Sequence, residues 1–238
     1  MDIGLLASIL SISIAAGTSL VYATLGEIVT ERAGILNLGV EGMMIMGAVT
    51  GFAAAFHTDS VLIGVVVAML VGALMSAIHA FVTITLLADQ VVSGLAMTLF
   101  GAGLASFLGQ RLGPGGSRLV GQIGPRFERI ALPLLSEVDI VGDAVFNRDL
   151  LSYLMYILVP LMWVFINKLR PGLVLRSVGE NPQASDAMGV NVFRVRYFYT
   201  IVGGMLVGLG GAHLSLSYTP GWTENITGGR GWIAVALV

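Results

Sequence analysis

The residue best suited to chemistry is Glu41, a carboxylic acid within the largely apolar segment at residues 31–48, ERAGILNLGVEGMMIMGA. An acid near the middle of a membrane span costs about 2.5–3.5 kcal/mol, so it normally faces a helix-bundle interior or a wet cavity. Asn37 adds a second polar group, and interrupted helices at membrane depth line cavities in transporters. We therefore interpret Glu41 and Asn37 as candidate residues of a substrate path. The alternative is a structural glutamate that bonds to a neighbouring helix. Four glycines interrupt the segment: Gly34, Gly39, Gly42 and Gly47.

His79 is a third candidate for the substrate path, because it also lies in a long apolar run. A histidine at such a position is more often packed and hydrogen-bonded than a carrier of protons. Both roles stay open at this point.

Other chemistries lack the residues that they require. The chain has no cysteine, three scattered histidines and one lysine, Lys168. It contains no GxxxxGK[ST] phosphate loop, no HExxH zinc helix and no GxSxG nucleophile turn. The sequence therefore predicts no metal site and no cofactor in this chain, and it supplies no clear acid–nucleophile pair for an intramembrane enzyme. A net charge of −2 gives no reason to expect nucleic acid as a partner.

The composition indicates that a lipid bilayer surrounds these residues. Hydrophobic residues make up 56% of the chain and charged residues 11%, whereas a soluble domain carries about 25% charged residues. The predicted fold is an all-α polytopic bundle with about six complete spans and the start of a seventh, as a single transmembrane domain over residues 1–238. Because the last apolar run stops at Val238, we expect that domain to be truncated at its C-terminus. Runs long enough to span lie at residues 3–26, 34–56, 60–87, 91–109, 150–167 and 197–217.

Small residues in the spans predict close helix packing. The pairs Gly47–Gly51 and Gly204–Gly208 repeat the four-residue spacing that lets helix backbones approach each other. The third span carries a longer ladder with the same spacing: Gly64, Ala68, Gly72, Ser76 and Ala80.

A polar segment at residues 168–196 separates the fifth and sixth spans and carries its own helix signals. Asn181 suits an N-cap, Pro182 suits the first helical position, and Gly189 suits the turn after the helix. These signals predict a helix of about two turns at residues 182–188. Because so short a helix is unstable alone in water, we expect it to dock on a partner. An ordinary solvated loop helix is the alternative.

Charge gives a weak preference for one orientation. Residues 110–149 contain as many arginines as residues 168–196 contain basic residues, and the positive-inside rule counts basic residues only. The basic residues of 168–196 lie next to the span ends, and Asp2 begins the chain without a positive charge. We therefore expect 168–196 in the cytoplasm and both 110–149 and the N-terminus outside. The acids that accompany the arginines of 110–149 are Glu128, Glu137, Asp139, Asp143 and Asp149.

Two blocks resemble a known family. Residues 25–48, LGEIVTERAGILNLGVEGMMIMGA, and 172–212, GLVLRSVGENPQASDAMGVNVFRVRYFYTIVGGMLVGLGGA, closely resemble the permease subunits of bacterial ABC importers. The branch is the one that carries simple sugars and nucleosides, related to the ribose and branched-chain amino acid permeases. The resemblance covers nearly the whole chain in the same order.

The resemblance implies that residues 168–196 form a cytoplasmic coupling loop that docks on an ABC ATPase subunit, which holds ATP and Mg²⁺. Gln183-Ala184-Ser185 followed by Gly189 is similar to the EAA…G pattern of importer permeases. Gln183 replaces the glutamate of that pattern, which leaves the docking charge on Glu180 or Asp186. The complete set of implied coupling residues is Glu180, Asn181, Pro182, Gln183, Ala184, Ser185, Asp186 and Gly189.

The resemblance also implies the other partners and the location. A second permease subunit, identical or paralogous, would complete the path, and an external binding lipoprotein would deliver substrate at residues 110–149. The location would be the bacterial plasma membrane, and the cargo a nucleoside or, as second choice, a simple sugar. Residue patterns alone leave a rival open, an ion-coupled carrier in which Glu41 or His79 binds protons.

Overall fold

The computed structural model describes residues 3–133 and 141–238, which form a mostly helical bundle. Its helices are α1 (Ile3–Arg32), α2 (Val40–Thr58), α3 (Val61–Ala80), α4 (Gln90–Gly109), α5 (Val141–Phe146), α6 (Leu150–Lys168), α7 (Arg170–Glu180), α8 (Pro182–Ala187), α9 (Val192–His213) and α10 (Arg230–Ala236). Wide π-helical turns extend α3 through Phe81–Thr85 and α9 through Leu214–Tyr218. Two short strands, β1 (Ile130–Ala131) and β2 (Asn147–Arg148), pair antiparallel.

Within the described residues, six helices are long and apolar enough to cross a membrane, as the sequence predicts: α1, α2, α3, α4, α6 and α9. Three predicted boundaries are wrong. The sixth span does not begin at residue 197, because α9 starts at Val192. The first span does not end at residue 26, because α1 continues through Glu27 to Arg32. The second does not begin at residue 34, because residues 33–39 are not helical and α2 starts at Val40.

Helix α9 lies at the centre of the bundle, with α1, α2 and α3 packed around it. Glycine permits these contacts. A β-carbon added to Gly72 would lie 2.2 Å from the carbonyl oxygen of Gly204, and one added to Gly47 would lie 2.6 Å from that of Gly208. The predicted packing role of the small residues is therefore confirmed. Helices α3, α4 and α6 turn apolar faces outward, as helices in contact with lipid do.

The two ends of the bundle differ. One end, here called the α8 side, carries α7 and α8 and the ends of α1 and α6. The other end, called the loop side, carries residues 110–133 and 141–149, including α5, β1 and β2. Residues 134–140 of that loop lie outside the described residues, as does Asp2. They include Glu137 and Asp139, two of the acids that accompany the arginines of residues 110–149.

Candidate functional site

The segment between α1 and α2, residues 33–39, enters the bundle as nonhelical backbone. Gly34 makes this possible because its φ of 80° lies in the left-handed region that favours glycine. Nonhelical backbone at membrane depth is stable only where protein groups satisfy its N–H and C=O groups. The side chains that do so define the first part of the site.

Side chains of α3 and α4 form hydrogen bonds with the main chain of Leu36. Its N–H donates to Oε1 of Gln90 at 2.7 Å, and its carbonyl accepts from Nε2 of His79 at 3.2 Å. That donation leaves Nδ1 of a neutral His79 to accept from the hydroxyl of Ser93 at 3.0 Å. His79, which is fully buried, therefore uses both ring nitrogens to hold the nonhelical segment.

Asn37 is buried in the same segment, and Glu27 of α1 accepts its main-chain N–H at 3.0 Å through Oε1. The Asn37 side chain accepts the N–H of Gly39 at 3.0 Å, which turns the chain into α2. At Leu38, which follows Asn37, the main-chain carbonyl accepts from the hydroxyl of Thr98 at 2.8 Å. Asn37 thus fixes the start of α2.

Glu27 is a site residue that the sequence reasoning missed. Its side chain is 1% exposed, and Oε2 has no hydrogen-bond partner among the described residues. The apolar Ile28 and Val29 that follow it were the available signal, since they continue the span beyond Gly26.

Glu41 contacts a segment far away in the sequence. Its Oε1 accepts from the hydroxyl of Thr227 at 2.5 Å and from the N–H of Gly229 at 3.0 Å. Its Oε2 accepts from the N–H of Gly231 at 2.6 Å. Glu41 therefore caps the N-terminus of α10, where helices leave N–H groups unpaired.

Residues 168–196 form two helices rather than a loop with one. The sequence did not predict α7, whose Leu175 and Val178 are buried. It did predict α8, in which the Asn181 side chain accepts the N–H of Ala184 at 3.0 Å. Gly189 follows with a φ of 84°, so the predicted cap and turn are confirmed.

Helix α8 presents most of its surface outward. Among the predicted coupling residues, only Ser185 is buried and Pro182 is half-buried. Met188, directly after α8, is 84% exposed. The exposed predicted coupling residues are Glu180, Asn181, Gln183, Ala184, Asp186 and Gly189.

Helix α7 touches the base of the nonhelical segment. A β-carbon on Gly179 would lie 2.3 Å from the carbonyl oxygen of Arg32. Helix α9 reaches the same place, where Nε of Arg196 donates to the carbonyl of Ala33 at 3.2 Å. A movement of α7 would therefore act directly on the chain that leads to Asn37 and Glu41.

A cavity of about 510 Å³ opens on the loop side, where sequence reasoning placed no site residue. Ser11, Arg126, Arg129, Asp149 and Tyr218 are among the residues that line it. Charged, hydroxyl and aromatic side chains thus face this cavity.

Asp149 anchors α6 at the edge of that cavity. Its Oδ1 accepts from the N–H groups of Leu151 and Ser152, its Oδ2 accepts from the Ser152 hydroxyl at 2.6 Å, and Nε2 of His213 lies 3.8 Å away. Burial alone would raise the pKa of Asp149, but His213 and the Ser152 hydrogen bonds hold it below its ordinary value. The described residues contain no cluster of three or more His, Asp or Glu that could hold a metal ion.

Comparison with known families agrees with this architecture. Residues 9–238 match the family described as branched-chain amino acid transport system, permease component. The chain belongs to this family. A permease component conducts solute rather than transforming it.

Individual relatives are similar over most of the chain. A protein of Haloferax volcanii named as a glucose ABC transporter permease is 42% identical over 236 residues, which cover 98% of this chain and 70% of the relative. The nucleoside ABC transporter permease of Lactococcus lactis is 33% identical over 93% of this chain and 71% of its own. The guanosine ABC transporter permease of Bacillus subtilis is 32% identical, with 95% and 75% covered. No solved structure matches the chain.

This permease is thus the multi-pass membrane subunit of an ABC importer, and it is not itself an enzyme. ATP hydrolysis belongs to a separate ATPase subunit, and the family also implies a binding-protein partner.

Proposed function

We propose that this permease imports a nucleoside or a simple sugar across the bacterial plasma membrane. A paired permease subunit would complete the path, and an external binding lipoprotein would deliver the cargo. The observation that carries the proposal is the similarity, over more than nine-tenths of the chain, to permeases named for glucose, nucleosides and guanosine. The loop-side cavity supports it, because about 510 Å³ lies within the range of small-molecule sites.

The proposed contact with the ATPase is α8 with its flanking residues. Exposed Gln183 and Ala184 would lie against the ATPase surface, with the charge of Glu180 or Asp186 beside them. Ser185 is the buried residue of α8, and its hydroxyl donates to the carbonyl of Asn181 at 3.0 Å within α8 itself. ATP and Mg²⁺ would bind on the partner ATPase, and this side of the bundle would be cytoplasmic. Residues 110–149 would then face the binding protein outside.

The proposed substrate path follows the nonhelical segment and its supports. Asn37, Glu41 and His79 shape the wall of this path by fixing the main chain of residues 35–39 and the start of α10. ATP-driven movement of α8 would reach this wall through α7, because Gly179 touches Arg32 at the base of the segment. The bundle would then alternate between openings toward the two sides.

Uptake into proteoliposomes tests the proposed function. The permease is reconstituted with its ATPase and binding protein, ATP is enclosed on the ATPase side, and uptake of radiolabelled guanosine and glucose is compared. We expect ATP-dependent accumulation of one cargo, unaffected by ionophores that collapse ion gradients. Accumulation that needs an ion gradient and no ATP would instead establish the rival ion-coupled carrier.

A further inference from the structure

Two parts of the chain enter the bundle from opposite sides in the same manner. Helix α1 runs to the α8 side, where the chain turns back as the nonhelical segment 33–39 and begins α2. Helix α9 runs to the loop side, where the chain turns back through the nonhelical segment 219–229 and begins α10. The second unit is thus oriented upside down relative to the first.

The two nonhelical segments share local features as well as position. Each turns at a glycine with positive φ, Gly34 at 80° and Gly221 at 130°. Each then carries an asparagine followed by an aliphatic residue and reaches its helix at a charged residue followed by glycine. The sequences AGILNLGVEG and PGWTENITGGRG show this correspondence.

The helices that follow both segments begin near the middle of the bundle. Gly42, in the first turn of α2, packs against the middle of α4, since a β-carbon on Gly101 would lie 2.5 Å from its carbonyl oxygen. At 1.5 Å per residue, this level is about 12–17 Å from the α8-side end of α4. A β-carbon on Gly231 would lie 2.4 Å from both N and Cα of Glu41. The first turns of α2 and α10 therefore touch at this depth.

The segment 219–229 is integrated into the bundle rather than laid over its surface. Trp222 is 1% exposed and packs against Gly109 at the loop-side end of α4. Thr227 is fully buried and bonds to Glu41. Beyond α10, Leu237 and Val238 line a cavity of about 410 Å³ on the α8 side, together with Arg32, Arg176 and Glu180.

We propose that α1–α2 and α9–α10 form an inverted repeat whose junction at Glu41 is the barrier of the transport path. Segment 33–39 bounds an entrance from the α8 side, and segment 219–229 bounds an entrance from the loop side. Glu41 is a positioning residue that holds the start of α10 against α2 and so keeps the two entrances apart. The assignment of a barrier rests on the proposed transport function, whereas the inverted arrangement stands without it.

The arrangement gives the barrier a defined moving part. Helices α1, α2 and α3 pack on α9 through glycine contacts, whereas α10 packs on α1 and α2 and its N-terminus bonds to the Glu41 carboxylate through three hydrogen bonds. The far end of α10 borders α7 in the 410 Å³ cavity. We expect movement of α7 to reach α10 through this end.

Single-cysteine labelling tests the proposal, since residues 1–238 contain no cysteine. Leu38→Cys and Ile226→Cys report the two segments in sealed vesicles of known orientation, treated with a membrane-impermeant thiol reagent. Met188→Cys and Thr223→Cys, both exposed, mark the α8 side and the loop side. We expect Leu38→Cys to react only from the side that labels Met188→Cys, and Ile226→Cys only from the other. Reaction of both from one side, or of neither, would overturn the inverted repeat.

The role of Glu41 is tested in the Ile226→Cys background. Thr227→Val removes one of the three donors to Glu41, and we expect labelling of Ile226→Cys to become about two- to tenfold faster and to occur from both sides. Thr227→Ser keeps the hydroxyl and should restore one-sided labelling. A rate and sidedness that stay unchanged in Thr227→Val and in Glu41→Gln would overturn the role of Glu41. The sidedness of labelling does not depend on ATP-driven uptake. Failure of the proposed import function can therefore be told apart from failure of the inverted repeat.

Discussion

At the scale of single residues, Leu36 shows what nonhelical backbone inside a membrane protein requires. Its N–H donates to Gln90 at 2.7 Å, and a buried donor without an acceptor costs about 1–3 kcal/mol. We therefore expect Gln90→Leu to destabilise the purified protein by that amount, measured by thermal unfolding in detergent. Gln110→Leu is the control at the exposed other end of α4, and equal stability of the two variants would contradict the role of Gln90.

Asp149 predicts how stability depends on pH. Because its folded-state pKa is below its ordinary value, the ionised carboxylate stabilises the fold at neutral pH. That contribution begins to be lost as the pH falls below about 4, the pKa of an unfolded aspartate, and disappears below the folded pKa. We expect the midpoint temperature of Asp149→Asn to lie below that of the natural protein at pH 7, with the gap narrowing at pH 3. A gap that stays constant between these pH values would refute a contribution from the charge.

The sequence identified some residues of the site but not their contacts. Asn37, Glu41 and His79 were predictable because polar groups are conspicuous in apolar runs. The partners of Glu41 lie 186–190 residues away, and no local pattern indicates such a pairing. Glu27 was missed because the first span was ended one residue before it.

At the scale of elements, α9 depends on backbone contacts that glycine alone permits. A β-carbon at Gly204 would lie 2.2 Å from that of Ser76 and 2.5 Å from the carbonyl oxygen of Gly72. We expect Gly204→Leu to separate α3 from α9 and to destabilise the protein by about 1–3 kcal/mol, measured by thermal unfolding. Gly103→Leu is the matched control, because Gly103 of α4 is exposed and has no atom within 4 Å of an added β-carbon. Comparable losses in both variants would show that the contact is not the cause.

The sequence predicted most helices but not how two of them begin. Glycine spacing correctly indicated helix packing, and Asn181 and Gly189 correctly bounded α8. The unwinding of residues 33–39 was not predictable as such, because glycine is common in intact membrane helices. It depends on acceptors and donors from α1, α3 and α4. Helix α7 was not predicted because residues 168–196 were interpreted from their charges and from the helix signals at residues 181–189. The amphipathic pattern of residues 170–180 was overlooked.

At the scale of the whole molecule, contacts lead from the α8 side to the middle of the bundle. Helix α7 touches the base of segment 33–39, Asn37 fixes the start of α2, and Glu41 holds the start of α10. This series of contacts gives a physical reason for placing the ATPase at one end of the bundle and the proposed barrier near its centre. We propose that α8 binds the ATPase subunit, whose ATP hydrolysis drives transport.

Co-purification of the ATPase subunit with variants of the permease tests this claim most directly. Ala184→Trp places a bulky ring on the exposed surface of α8, whereas Ala131→Trp makes the same change on the loop side, where Ala131 is also exposed. We expect Ala184→Trp to reduce the bound ATPase at least about tenfold while membrane insertion stays normal, and Ala131→Trp to retain it. Full ATPase binding by Ala184→Trp, or equal loss from both variants, would contradict the account.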